Sequence, residues 1–306
     1  MKKIRDRRSF FCNLTLLSLS ITNSSYARNY KLEITQFSSL MTATFDKLYA
    51  ILRRDLLTTI RHRSGFVLSL VGTFTELAAF YFLSRAIGSG FRPDGVAFFP
   101  FLLVGTGVYT FFVMSVQAFV SAVQEAQQTG TLEVLMTSST GPVELLILSS
   151  ISAFAGTLGN LLIYLSAGVA VFRAAIHPNF FSCVAVMICS LVVALALGIA
   201  GATLQIAFQK GSALLWLLGS GIWFLSGTMF PVHSLPRPLE LLARAMPFTY
   251  AIDGMRQALL DGRPISAMAP TLAILAAFGL VLLPLAILCL SFTLRRARQN
   301  GTLSFY

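Results

Sequence analysis

The chain has 306 residues, of which 56% are hydrophobic and only 11% are charged, and its formal net charge at pH 7 is +11. Soluble domains carry about 25% charged residues, so a chain of this composition, with a mean hydropathy of +0.75, cannot cover a soluble surface. The composition excludes an ordinary soluble protein and indicates a membrane protein. Because lipid tolerates no open sheet edge, we expect an all-α helical bundle.

The N-terminal 40 residues do not fit the rest of the chain. Met1–Arg8 is basic and Phe10–Ile21 is mildly apolar, and we interpret residues 1–40 as a poorly ordered or mis-started extension. Ser25-Tyr26-Ala27 resembles a signal-peptide cleavage site, so a secretory signal is the alternative. A cleaved signal would place the arginines at 53–63 outside the cell, against the positive-inside rule.

Residues 41–64 have an amphipathic helical pattern. Apolar residues recur at three- and four-residue spacing, opposite a charged side. The apolar set is Leu48, Ile51, Leu52, Leu56 and Ile60, and the charged set is Lys47, Arg53, Arg54 and Asp55. The pattern predicts a helix lying in the membrane interface, in contact with lipid headgroups.

Residues 65–294 contain six apolar stretches, each long enough to cross the hydrocarbon core, which takes roughly 20 residues. The predicted spans are Gly65–Ile87, Val96–Val123, Pro142–Phe172, Phe180–Phe208, Ser212–Phe230 and Ala267–Leu294. Pro284 removes a backbone donor from the last span and predicts a kink there. Residues 295–306 are then a C-terminal tail.

The basic residues predict the orientation. Arginines crowd the start of the first span and the end of the last, which places both termini in the cytoplasm of a bacterial inner membrane. These are Arg53, Arg54, Arg61 and Arg63, and Arg295, Arg296 and Arg298. Four further arginines, at 237, 244, 256 and 263, fall outside in this topology. Because most of these residues flank spans, the positive charge indicates membrane anchoring and not nucleic-acid binding.

A short segment between the second and third spans has an apolar side without an obvious partner. Residues 130–136 read Gly-Thr-Leu-Glu-Val-Leu-Met. Thr131 can cap a first turn, and Glu133 favours the positive end of the helix dipole. Leu132, Leu135 and Met136 share one side, so we predict a short surface helix that docks on another protein.

The segment before the last span contains three prolines within residues 231–238, which forbid a continuous helix. Two helical pieces are predicted after them, at about Leu239–Ala245 and Tyr250–Leu260, separated by Pro247. Both are too apolar for an exposed loop, which indicates a broken, re-entrant or interface-lying hairpin. Asp253 and Arg256, three residues apart, can pair locally.

In this order of parts the chain resembles the type 2 ATP-binding-cassette exporter permeases, whose members export drugs and polysaccharides. The matching motifs are Gly130-Thr131-Leu132-Glu133 and the ten residues from Pro247 to Arg256. The resemblance covers about Phe45–Arg298. It implies that residues 131–136 form a coupling helix on a separate ATPase subunit, and that the first and fifth spans face a second copy or a near-identical half-permease.

The sequence contains no Gly-x-x-x-x-Gly-Lys-Ser/Thr loop, no cysteine or histidine spacing typical of a metal site, and no nucleophile–base pair. We therefore expect no cofactor and no enzyme activity in this chain. Glu76 lies near the middle of the first span, where an ionisable group is costly unless it is paired or wet. It indicates either a translocation route or a structural contact between helices. A proton- or ion-coupled carrier using Glu76 is the alternative to an ATP-driven exporter of hydrophobic or amphipathic molecules.

Overall fold

The computed structural model describes residues 63–88, 90–128, 142–208, 219 and 221–300. Within these ranges the chain is helical and contains no strand, which confirms the all-α prediction for this part. We number the α-helices α1 to α7 in chain order. They are Arg63–Ile87, Phe98–Gln128, Pro142–Ala170, Phe180–Phe208, Arg237–Arg244, Pro247–Leu259 and Ala269–Asn300.

Four of the predicted spans are confirmed as helices long and apolar enough to cross a membrane, namely those in α1, α2, α4 and α7. The third predicted span forms α3, whose part from Gly156 to Ala170 is apolar. Most of the fifth predicted span lies outside the described residues, with helix at 221–225. The number six therefore stays a prediction. Residues 1–40, and nearly all of the predicted interfacial helix at 41–64, also lie outside the described residues.

Helix α2 is the centre of the bundle. In its most apolar stretch 72% of the residues are buried, against 6% in α1. Close approach at glycines explains this packing, because Gly198 of α4 leaves room for the Phe119 ring, and Gly168 of α3 leaves room for Leu103. Small residues at helix contacts are typical of membrane bundles. By contrast, α1 has only a narrow contact with α2 and α3 and remains at the periphery.

Two helices extend beyond the apolar stretches that predicted them. Helix α2 continues through Gln124–Gln128, beyond the predicted end of the second span at Val123, and α7 continues through the first basic residues of the predicted tail, to Asn300. Glutamine, glutamate, alanine and arginine are good helix formers, so the backbone stays helical after the hydrophobic pattern ends. Helix α7 also continues on both sides of Pro284 and packs along α4.

Helices α5 and α6 form the predicted hairpin, and each begins two or three residues earlier than expected. The reason is that Pro238 and Pro247 stand in the first turns of these helices, where a missing N–H costs nothing. The Thr249 hydroxyl joins the two helices by donating to the Ala243 carbonyl at 2.7 Å. Most of α6 is buried, whereas Leu241 and Leu242 of α5 are exposed. We call the end of the bundle that carries this hairpin the hairpin end.

Candidate functional site

Arg256 is the charged group that the hairpin buries most deeply. Only 7% of the residue is exposed. Its Nη1 donates to the carbonyl of Gly227 at 2.8 Å, and its Nη2 donates to the carbonyls of Thr228 at 2.9 Å and Phe101 at 3.1 Å. Its Nε makes a longer bond of 3.4 Å to the same Phe101 oxygen. We call Arg256 and these three carbonyls the carbonyl clamp.

The space for the clamp exists because residue 105 is a glycine. A Cβ at Gly105 would collide with the Arg256 Nη2 and would lie 2.8 Å from the Thr228 carbonyl oxygen. On its other side the guanidinium carbon lies 3.4 Å from the centroid of the Phe101 ring, a cation–π contact. Both Gly105 and Phe101 belong to α2, so one turn of this helix forms the wall of the arginine site.

The other two carbonyls of the clamp come from the point where the chain leaves the helical residues 221–225. Gly227 has a φ of +78°, a left-handed conformation that glycine adopts without strain. The hydroxyls of Ser226 and Thr228 are hydrogen-bonded to each other at 2.7 Å. Carbonyls at a helix C-terminus lack intrahelical partners and favour a nearby cation, which explains why the arginine binds here.

The predicted local pair of Asp253 and Arg256 is present but secondary. The Asp253 Oδ1 lies 3.8 Å from the Arg256 Nη1, outside hydrogen-bond distance, and the Asp253 side chain is 44% exposed. Burial lowers the pKa of Arg256 to about 10, which leaves the guanidinium charged at neutral pH. Burial raises the pKa of the Asp253 carboxyl, and the positive charge of Arg256 opposes that rise.

A cavity of about 440 Å³ adjoins the clamp at the hairpin end. Its wall is charged and comes from three separate segments, with Asp94 before α2, His233 before α5, and Asp253 and Arg256 on α6. His233 Nδ1 lies 3.8 Å from the Asp94 Oδ1, so the turns before α2 and α5 meet across the opening. A space with carboxylates, guanidiniums and the Tyr250 ring can accept a polar or amphipathic molecule.

Glu76 lies on the exposed side of α1, at about the middle of the helix. Its carboxylate is within electrostatic reach of the Tyr164 hydroxyl on α3. The oxygens of Tyr164 and Thr106 are buried and lie close enough to interact, yet neither makes a hydrogen bond of regular geometry with a described residue. The structure thus brings Glu76 near a polar spot between α2 and α3 and leaves it facing outward.

The predicted docking residues Thr131, Leu132, Glu133, Leu135 and Met136 lie outside the described residues. The structure describes the helices on either side, α2 up to Gln128 and α3 from Pro142. Phe101 of the clamp lies in the first turn of α2, so Gln128 is at the opposite end of the bundle from the hairpin. The last described residue before this segment therefore lies at the end of the bundle remote from the cavity.

One comparison decides the family. The family model described as the ABC-2 type transporter matches residues 46–260, which is more than half of the chain. The chain belongs to the ABC-2 type transporter family. The match confirms the resemblance drawn from the sequence and runs from before α1 to the end of α6, so it includes the carbonyl clamp. No protein in a search of curated sequences matches the chain.

Membership of the ABC-2 type transporter family makes this chain a multi-pass membrane permease component, and the apolar helices agree with that. The sequence analysis named Arg256 as a partner of Asp253, as an arginine on the outer side and as part of a family motif, and it missed the clamp. Two signals were available, an arginine on an otherwise apolar hairpin and a glycine at 105 inside an apolar span. Neither signal identifies the three carbonyls, which lie far away in the sequence.

Proposed function

We propose that this ABC-2 permease is the transmembrane subunit of an ATP-driven exporter that moves a hydrophobic or amphipathic molecule out of the cytoplasm. It works in a bacterial inner membrane, with both termini cytoplasmic, as a homodimer or with a near-identical half-permease. Residues 1–40 are an extension, residues 41–64 an interfacial helix, residues 65–294 the six-span permease domain and residues 295–306 a cytoplasmic tail. Residues 131–136 couple the permease to a separate ATPase.

The exposure of α1 is the observation that carries the proposal. An apolar helix with a carboxyl at its middle cannot face lipid on that side without a large cost, because the charge would be in hydrocarbon. Glu76 is on the exposed side of α1, and α1 packs only lightly on the rest of the described chain. A second copy against α1 supplies both a cover for the helix and a polar route beside Glu76.

The direction and the cargo follow from the charge distribution. In the proposed orientation the hairpin end faces the outside, and the cavity beside Arg256 is on the exit side. The spans carry few ionisable groups, which suits a large apolar or amphipathic molecule such as a drug-like compound, a lipid or a lipid-linked glycan. Energy comes from a second polypeptide, since the 306 residues contain no phosphate-binding loop of the Gly-x-x-x-x-Gly-Lys-Ser/Thr type.

The test uses inverted membrane vesicles that contain the permease and its ATPase. We expect uptake of an amphipathic fluorescent dye when ATP is supplied, and none with a non-hydrolysable analogue or with an ATPase that has lost its catalytic glutamate. Vesicles with the permease alone are the control and should remain inactive. Uptake by permease-only vesicles under a proton gradient would contradict the exporter and support a proton-coupled carrier that uses Glu76.

A further inference from the structure

We propose that Arg256 is a positioning residue that joins the hairpin α5–α6, the hairpin end of α2 and the turn at 226–228 into one moving unit. Through this unit, displacement of α2 reaches the wall of the exit-side cavity. The inference rests on the proposed function, because it assigns the means by which events at residues 131–136 change the opposite face of the membrane.

The first argument is the free-energy cost of burying the Arg256 guanidinium. A buried guanidinium loses its hydration, and well-packed apolar residues of similar volume are often at least as stable as a buried ion. Arg256 nonetheless places its donors on three carbonyls from two other segments, with the Phe101 ring covering one side. The guanidinium is planar and its N–H donors have fixed directions, so it sets the relative position of the three chain segments. An aliphatic side chain in the same space would not do this.

The second argument is the continuity of α2. This helix has 31 residues, about 45 Å of α-helix at 1.5 Å per residue. Its first turns hold Phe101 and Gly105 of the clamp, and its last residue, Gln128, directly precedes the segment at 129–141. Among the four candidate spans in the described residues α2 is the most buried, and in this proposal it transmits displacement along its length as a rigid rod.

The third argument is the position of the cavity on α6. Arg256 and Asp253 are one turn apart, with Arg256 in the clamp and Asp253 at the cavity, so a shift of α6 carries both. The last turn of α6 is held at the start of α4 as well. The backbone N–H groups of His177 and Asn179 donate to the carbonyls of Leu259 and Ala258, each at 2.9 Å. The last turn of α6 is therefore joined both to α2, through Arg256, and to the residues just before α4.

The experiment replaces Arg256 with methionine, which keeps much of the volume and removes every clamp bond. In vesicles with the ATPase, we expect the variant to assemble and to hydrolyse ATP, while the number of dye molecules moved per ATP falls roughly tenfold, within the range that coupling residues produce. A residue with a purely structural role would change the amount of folded complex and leave that ratio unaltered.

Gly105→Ala disturbs the same clamp from α2, because the added Cβ would collide with the Arg256 side chain. Alanine is the better helix former, so this change should stabilise an isolated helix, whereas the clamp predicts a fall in transport per ATP. Gly156→Ala is the matched control, because a Cβ there meets open space, and it should stay within about twofold of the parent protein. Combining Gly105→Ala with Arg256→Met should cost less than the sum of the two single changes, as expected for two changes in one interaction.

The outcomes separate the two proposals. Normal transport per ATP in the Arg256→Met complex, or a Gly105→Ala complex indistinguishable from Gly156→Ala, would overturn the role of the clamp and leave the exporter intact. Absence of ATP-dependent transport in the unmodified complex would remove the proposed exporter, and the clamp's role in coupling would fall with it.

Discussion

The Tyr109 hydroxyl of α2 donates a hydrogen bond of 2.6 Å to the backbone carbonyl of Gly219, 110 residues further along the chain. Gly219 belongs to the predicted fifth span, so this bond joins that span to the central helix of the bundle. The carbonyl clamp adds an indirect link, because Arg256 of α6 donates both to Phe101 of α2 and to the carbonyls of Gly227 and Thr228. Both contacts use main-chain acceptors, which a substitution in that segment cannot delete.

The first prediction concerns this bond. Tyr109→Phe keeps the ring and removes the hydroxyl, and we expect a loss of about 0.5–1.5 kcal/mol of stability, the net worth of one such hydrogen bond. Tyr164→Phe is the matched control, since its buried hydroxyl makes no regular hydrogen bond in the described part of the chain, and it should be neutral or stabilising. Thermal unfolding of both variants in the same detergent measures the difference, and equal losses would contradict the assignment.

The second prediction concerns Glu76. Glu76→Ala should leave folding and assembly intact, because Glu76 belongs to the exposed residues of α1. Dye export should fall by about tenfold, which corresponds to ~1.4 kcal/mol of lost stabilisation along the route. Thr75→Ala is the control for a nearby change, because Thr75 is also exposed and its hydroxyl donates to the Val71 carbonyl of its own helix. Normal export in purified Glu76→Ala would remove the route and leave a structural role for the carboxyl.

The third prediction concerns assembly. Native mass spectrometry of the detergent-solubilised complex should show two copies of this chain with two ATPase subunits. The reason is that the carboxyl of Glu76, at the middle of the exposed helix α1, needs a polar partner in the membrane that lipid does not supply. The permease purified alone should still form a dimer. A stable monomer that transports without any ATPase is incompatible with this reading.

The fourth prediction concerns the segment that docks on the ATPase. Leu135→Asp places a charge on the apolar side of the predicted helix, where burying each leucine or methionine is worth roughly 1.5–3 kcal/mol. We expect the variant to insert normally, to lose ATPase in a pull-down, and to lose export in the same membranes. Leu241→Asp changes an exposed leucine at the hairpin end and should retain the ATPase. Retained ATPase and unchanged export in Leu135→Asp would show that docking takes place elsewhere.

Most of the helices could be predicted from the sequence because a membrane imposes a length and a polarity on each one. The fourth span was predicted at Phe180–Phe208 and begins and ends at those residues in the structure. The ends of α2 and α7 were misplaced because hydropathy reports where the hydrocarbon ends, whereas the helix stops where its backbone hydrogen bonding stops. Glutamine and arginine end the apolar stretch, but both are good helix formers and the helical hydrogen bonding continues through them.

The hairpin was predicted in part. The prolines indicated that the hairpin has two helical pieces. We expected Pro238 and Pro247 to lie before those helices, but both lie in first turns, which a proline fits well. From the sequence, both helical pieces of the hairpin looked too apolar to be exposed. The structure distinguishes them, because α6 packs against α2, α4 and α7, while the three leucines of α5 remain exposed.

The sequence by itself determined the membrane class, the places of the long helices and the family motifs, because these depend on local composition and spacing. Only the tertiary structure decided the environment of Arg256. Its acceptors are main-chain carbonyls, which every residue possesses, and Phe101 is 155 positions away. No pattern of side chains can identify such a partner, because helix periodicity shows which face is apolar and not which neighbour packs against it.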